Sequence, residues 1–276
     1  MRNFKPRPWQ GPMIDFVLGH ERCALLGRMG LGKSSVALSV IDARMFAGTV
    51  KKTAVLAPLR VARSTWPEEA AKWHEFTHLR IKFLKWTPAE REFLSTLAKA
   101  EALEARADEH SKLAGRLMMQ TANRLRPAAR NARLAIIDAL DVQTVNYELV
   151  PQLIEILGNH WPFDMVIADE ATKVRNFRLR QGGKRAQALS KIAHGRTRFW
   201  LNLTGTFVPN GLKMGPDAGT FLLVTGHKPD VKELKLAQTF LTDQQSIYKD
   251  EKNAEERTWA DFCQSLFASN SFLYLQ

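Results

Sequence analysis

Residues Gly27 to Ser34 read G-R-M-G-L-G-K-S, a complete match to the pattern G-x-x-x-x-G-K-[ST]. The flanks constrain the fold as much as the motif does. Cys23-Ala-Leu-Leu26 is a short apolar run of buried-strand type, and Ser35-Val-Ala-Leu-Ser-Val-Ile41 can open a helix. A strand, a glycine loop and a helix in that order let backbone N–H groups wrap a polyphosphate, with the helix N-terminus facing the anion. Lys33 would then reach the β and γ phosphates, and the Ser34 hydroxyl would hold Mg2+. Gly27, Gly30, Gly32, Lys33, Ser34 and Ser35 are the candidate phosphate-binding residues. The plain alternative is a glycine-rich turn that merely ends a strand.

At 276 residues the chain has room for one large domain or two small ones. Its only cysteines, Cys23 and Cys263, give neither a disulfide framework nor a metal spacing, so a reducing, cytosolic setting is the default. The basic N-terminus is not followed by an apolar signal core, and no apolar run has the length to span a bilayer, so no membrane partner is expected. The net charge of +12 favours a polyanionic partner, without choosing between nucleic acid, an anionic membrane and simple solubility. Residues 1–216 carry 34 Lys and Arg against 19 Asp and Glu, whereas residues 217–276 carry 6 against 9. The basic character thus belongs to the part that holds the glycine loop.

Short apolar runs alternate with helical patterns over the first two hundred residues. Strands are expected at 22–26, 53–57, 80–84, 142–145, 163–168 and 199–203, and helices at 34–46, 64–73, 148–157 and 186–192. Such alternation predicts a parallel α/β sheet covered on both faces, with ligands beyond the C-terminal strand ends. Residues 88–137 break the rhythm. They are rich in helix formers, and Gly115 and Pro127 predict two or three helices there. The second half carries Lys112, Arg116, Arg124, Arg126, Arg130 and Arg133 without an acidic residue. A solvated insertion and an arm tracking a nucleic-acid backbone both fit it. His74 and His78 are four apart but lack a third ligand, so no metal site is expected there.

The second chemical signal is Phe163-Asp-Met-Val-Ile-Ala-Asp-Glu170, an apolar strand ending in adjacent carboxylates. A phosphate-loop ATPase needs an acid at a neighbouring strand tip for the Mg2+ shell and a group that orients the attacking water. Asp169 suits the first role and Glu170 the second.

Several segments together resemble Swi/Snf-type ATPases, within the DEAD/DEAH-like helicase superfamily 2. Asp169-Glu-Ala-Thr-Lys-Val-Arg-Asn176 looks like their D-E-A-H-R-L-K-N segment, and Met29 to Ser34 like their M-G-L-G-K-T loop. Phe4-Lys-Pro-Arg-Pro-Trp-Gln10 resembles the element that sets a glutamine against the adenine edge, which makes Gln10 the implied base reader. Ala54 to Arg60, with Ser64-Thr-Trp66 and Glu68, is similar to the strand and loop that grip one DNA strand. Thr144-Val-Asn-Tyr-Glu148 resembles the next DNA-facing element, and Leu203-Thr-Gly-Thr206 the segment that couples hydrolysis to strand movement. The resemblance implies ATP and Mg2+ as ligands and DNA as partner. Lys33, Asp169 and Glu170 become the catalytic set, and Arg60, Asn146, Tyr147, Thr204, Gly205 and Thr206 the nucleic-acid or coupling set. The residues themselves leave plainer readings open. Trp66 and Trp73 can pack on one helix face, and Asn146 and Tyr147 can close a strand.

The implied fold is a RecA-like, three-layer lobe over residues 1–211, with the basic helical insertion at about 88–137 and a short appendage at 212–276. The resemblance is to compact helicases of phages and prophages, which implies the cytosol of a bacterial host. It departs from the family at Phe207, where a proline is usual, and after Asn210. The family's second lobe, whose arginines act across the cleft and whose loss typically costs about a thousandfold or more in rate, has no counterpart at 212–276. A diverged or truncated remnant and a separate polypeptide supplying that lobe are both consistent with this. The expected activity is therefore ATP binding with DNA-dependent hydrolysis that is slow or absent. The alternatives are a nucleotide-gated DNA-binding module and a phosphate-loop ATPase acting on another kind of partner.

Overall fold

The computed structural model describes residues 2–26, 30–170, 195–204 and 231–249, with Ala254 and Thr258. Six parallel strands form one sheet: β1 (Arg22–Leu26), β2 (Thr53–Ala57), β3 (Ile81–Phe83), β4 (Val142–Asn146), β5 (Met165–Asp169) and β6 (Phe199–Thr204). Their spatial order is β1-β6-β5-β2-β4-β3. Each expected strand is present. The strand expected from 163 begins two residues later because Asp164 is used differently. Its carboxylate accepts from the Lys51 and Lys52 amides at 2.7 and 3.2 Å, tying the start of β5 to the start of β2. Asp164 therefore lies at the opposite end of β5 from Asp169.

Period-two alternation divides the core between the two faces of the sheet. Val55, Met165, Ile167, Phe199, Leu201 and Leu203 face one side, with helices α1 (Gln10–Leu18), α2 (Lys33–Phe46) and α3 (Trp66–Lys72). Ala54, Leu56, Val166, Ala168 and Trp200 face the other, where α6 (Val150–Leu157) packs. Because both faces are covered, the strands read as near-continuous apolar runs. A single π-helical turn, Val61–Thr65, precedes α3. Trp66 and Trp73 share the α3 cluster, with Trp66 completely buried.

The insertion is an antiparallel pair, α4 (Pro88–Glu104) and α5 (Glu109–Asp138). The break falls at neither Gly115 nor Pro127. Asp108 makes it, since its side chain accepts from the Ser111 amide at 2.7 Å and starts a new helix. Gly115 instead permits close packing: a Cβ there would stand 2.7 Å from Glu104 Cγ and 3.1 Å from the Ala100 carbonyl. Pro127 is exposed and α5 runs through it.

A buried ion pair fastens this hairpin. Arg133 donates to both Glu90 oxygens at 2.6 and 2.7 Å and to the Lys85 carbonyl at 2.8 Å, and both side chains are at most 1% exposed. Glu90 also closes the capping box of α4 with Thr87. Arg126 reaches Glu155 at 3.4 Å and Arg130 lies against His160 at the same distance, so part of the basic run faces the protein itself. Arg116 and Arg124 remain on the outer face. The helix expected at 186–192 and the boundary expected near 211 lie outside the described residues. No described helix is long and apolar enough to cross a membrane.

Two outcomes follow from this packing. Arg133→Met strands a buried carboxylate, so chemical denaturation should show a loss of about 3–5 kcal/mol, with much of it recovered in the Arg133→Met, Glu90→Leu double variant. Cys23 is 3% exposed and burial pushes its thiol up to about 12. Its thiolate is therefore scarce below that value, and iodoacetamide labelling at pH 8 should leave Cys23 unmodified until the chain is unfolded.

Candidate functional site

The residues of the glycine loop that are described have the backbone this motif requires. Gly30 and Gly32 have φ of 86° and 77°, the left-handed region open to glycine at no steric cost. Gly32 caps α2, whose first residues are Lys33, Ser34 and Ser35. The α2 N-terminus thus opens at the C-terminal edge of the sheet, where the positive end of its dipole lies. Ser35 is buried and its hydroxyl donates back to the Gly32 carbonyl at 3.0 Å. Ser34, one residue earlier, is half-buried. Gly27 lies outside the described residues.

Gln10 is 4% exposed. Its Oε1 accepts from the Arg7 amide at 2.9 Å, and its Nε2 donates to the Gly32 and Leu31 carbonyls at 3.3 and 3.4 Å. A Cβ on Gly32 would stand 2.3 Å from that nitrogen. Beside it, the half-exposed Trp9 directs its indole N–H at the Leu31 carbonyl, 3.4 Å away. Residues 9 and 10 thus sit directly on the loop.

Strand order brings the remaining candidates together. In register, Leu26 at the end of β1 stands beside Thr204 of β6, and Leu203 beside Asp169 of β5. Leu26 before the loop, Thr204 and Asp169 therefore end three adjacent strands. Thr204 is buried there, whereas Gly205 and Thr206 lie outside the described residues. Asp169 and Lys33 are near enough to act on each other electrostatically. Burial lowers the Lys33 pKa and raises that of Asp169, each opposed by attraction to the other and, at Asp169, by hydrogen bonds. An ammonium and a carboxylate that both lose hydration form a site that added phosphate and a hard cation would satisfy. Ser34 and Asp169 supply oxygen donors suited to Mg2+, which usually takes one or two protein ligands beside substrate phosphates.

Asp169 is held on three sides. Its Oδ2 accepts from Trp66 Nε1 at 2.9 Å, its Oδ1 from the Glu170 amide at 2.9 Å, and its backbone carbonyl from the Tyr147 hydroxyl at 2.7 Å. Glu170 has φ of 51°, the only non-glycine residue with positive φ among those described. Such a conformation costs on the order of 1–3 kcal/mol and is typical of functional turns. Tyr147, expected on the nucleic-acid side, is 2% exposed and braces the acidic turn from beneath. Burial and the two acidic neighbours raise its phenol well above the ordinary value.

Arg60 is exposed just past β2, and Asn146 is the last residue of β4, paired in register with Ala57. Both therefore lie along the same sheet edge as Asp169. The role of Trp66 toward Asp169 was not read from the sequence. The available signal was the indole donor itself, since a buried Trp N–H usually finds an acceptor.

No family model matches the chain. Protein p41 of Acyrthosiphon pisum secondary endosymbiont phage 1 is 38% identical over 213 residues, which is 77% of this chain and 38% of the phage protein. Two structures of the Sulfolobus solfataricus SWI2/SNF2 ATPase core are similar. The one in complex with dsDNA has a TM-score of 0.50 at 16% identity, over 97% of this chain and 46% of that one. The core domain alone has a TM-score of 0.50 at 15% identity, over 98% and 45% respectively. The chain thus spans less than half the length of each of these proteins. The phage relative fits a phage origin, and the sheet with its flanking helices has the RecA-like α/β fold seen in the Sulfolobus solfataricus SWI2/SNF2 ATPase core.

Proposed function

We propose that this chain binds ATP with Mg2+ and acts as a DNA-dependent ATPase lobe of helicase or translocase type. The observation that carries the reading is the convergence of Leu26, Thr204 and Asp169 on three adjacent strand ends, with Lys33 near enough to act on Asp169 electrostatically. Phosphate-loop chemistry needs a phosphate cradle and a metal-holding acid side by side, and phosphoryl transfer is catalysed by positioning and charge rather than by covalent steps. Gly30, Gly32 and Lys33 cradle the phosphates, and Ser34 with Asp169 holds the metal. When bound, Mg2+ offsets charge on the β and γ phosphate oxygens. Glu170, on the left-handed turn that follows Asp169, orients the attacking water. Gln10 reads the adenine edge.

DNA enters this reading through three supports: the net charge of +12, the exposed Arg60 past the end of β2 on the sheet edge that also carries Asn146, and a structural relative solved on dsDNA. Arg60 and Asn146 contact the strand, and Thr204 with Gly205 and Thr206 links it to the nucleotide. A host-cytosolic location follows from the same reading.

Titration of a fluorescent ATP analogue tests the nucleotide part. Lys33→Ala is expected to weaken Mg2+-nucleotide binding at least tenfold while leaving DNA affinity and its salt dependence in place. Glu170→Gln should bind nucleotide as the unaltered chain does but lose about a hundredfold or more of whatever turnover is measured. Turnover that ignores added DNA, together with DNA affinity that ignores salt, would overturn the nucleic-acid part and favour an ATPase acting on another partner.

A further inference from the structure

The indole of Trp66 is completely buried, and packing alone would be served there by phenylalanine or leucine. Instead its one polar atom is aimed at the carboxylate that closes β5, 2.9 Å from Asp169 Oδ2. The other carboxylate oxygen is held by the Glu170 amide. With both oxygens engaged, the carboxylate plane is set, and each oxygen keeps a lone pair for a cation. Trp66 itself is fixed by its place in the chain. It follows directly on the Val61–Thr65 π-turn, and that turn is pinned to β4 by the Thr144 hydroxyl donating to the Ala62 carbonyl at 2.5 Å. Helical segments of this kind are frequent at functional sites.

We propose that Trp66 is a positioning residue for the nucleotide's Mg2+. Its indole N–H orients the Asp169 carboxylate toward the metal, and so ties the metal ligand to the segment that begins at Arg60. The inference rests on the Mg2+-nucleotide reading above and adds a residue to which that reading gives no part in metal binding. Orientation of a metal ligand by an outer hydrogen bond typically carries 10- to 100-fold in metal affinity.

The test is the affinity of the full chain for a fluorescent ATP analogue, measured in saturating Mg2+ and again in EDTA, for the unaltered protein and for Trp66→Phe. The variant is expected to weaken binding about tenfold in Mg2+ and by less than about twofold in EDTA. Equal weakening in both conditions, or an unchanged Mg2+ dependence, overturns the inference. An unaltered chain that binds no nucleotide in Mg2+ overturns instead the reading on which it rests. A second measurement needs no variant: 15N-indole NMR of the unaltered chain with nucleotide in EDTA and then in Mg2+. A solvent-protected indole resonance should move when the metal is added, and protected resonances that all stay in place overturn the inference. The exposed Trp9 is distinguished by its fast solvent exchange.

Discussion

Asp169 is the point on which the arrangement depends. A carboxylate at the end of a central strand loses hydration, and left alone it would be protonated or would open the sheet edge to water. Here its charge is held by the Trp66 indole and the Glu170 amide, with Lys33 nearby, while Tyr147 fixes its backbone. Hydrogen bonds to a charged group contribute roughly 1.5–3 kcal/mol each. Two such bonds together equal or exceed the strain of the left-handed Glu170 that follows, roughly 1–3 kcal/mol. The turn is thus held in a conformation that an unsupported chain would not keep.

The strand order explains why these groups meet. The sheet runs β1-β6-β5-β2-β4-β3, so β5 stands at its middle. On one side, β1 and β6 deliver the glycine loop and Thr204. On the other, β2 and β4 deliver Arg60 and Asn146. Trp66 and Tyr147 come from the second side, yet both bond to Asp169. The two halves are joined by direct hydrogen bonds at one residue. The α4–α5 hairpin is inserted between β3 and β4, at the edge farthest from β1. Its own buried Arg133–Glu90 pair fixes it independently of the loop.

Where residue type and spacing suffice, the fold and the placement of the candidate loop were legible in the sequence. The six strands could be read because sheets buried on both faces need continuous apolar runs, and the loop because glycine alone takes its backbone angles at no steric cost. Three features could not be read in this way. Gly115 looked like a helix breaker, but its effect depends on what approaches it, and here that is the end of α4. The arginines of α5 looked like one basic stripe, but Arg133 meets Glu90, which is 43 residues away, and no local pattern announces that pairing. Tyr147 and Trp66 looked like DNA-side or packing residues because their acceptor lies on a different strand. In each case the deciding partner is distant in sequence, and periodicity reports only on neighbours.

The same reasoning applies to the N-terminal segment. Gln10 and the loop match separate motifs in the sequence, yet in space neither is independent of the other. The Gln10 amide fills the volume that a Cβ on Gly32 would need, and it donates to the Gly32 carbonyl. The segment that carries Gln10 is anchored at its other end as well. Arg2 exchanges backbone hydrogen bonds with the end of α3 at 3.0 Å, and the Phe4 ring packs on Trp73 and Phe76. Glycine at position 32 is therefore required twice, once by its positive φ and once by the side chain lying against it. Gln10 and the glycine loop are in this way one packed unit. Displacing the Gln10 side chain would remove two of the loop's hydrogen bonds, so the placement of the N-terminal segment and the loop geometry are coupled through a single side chain.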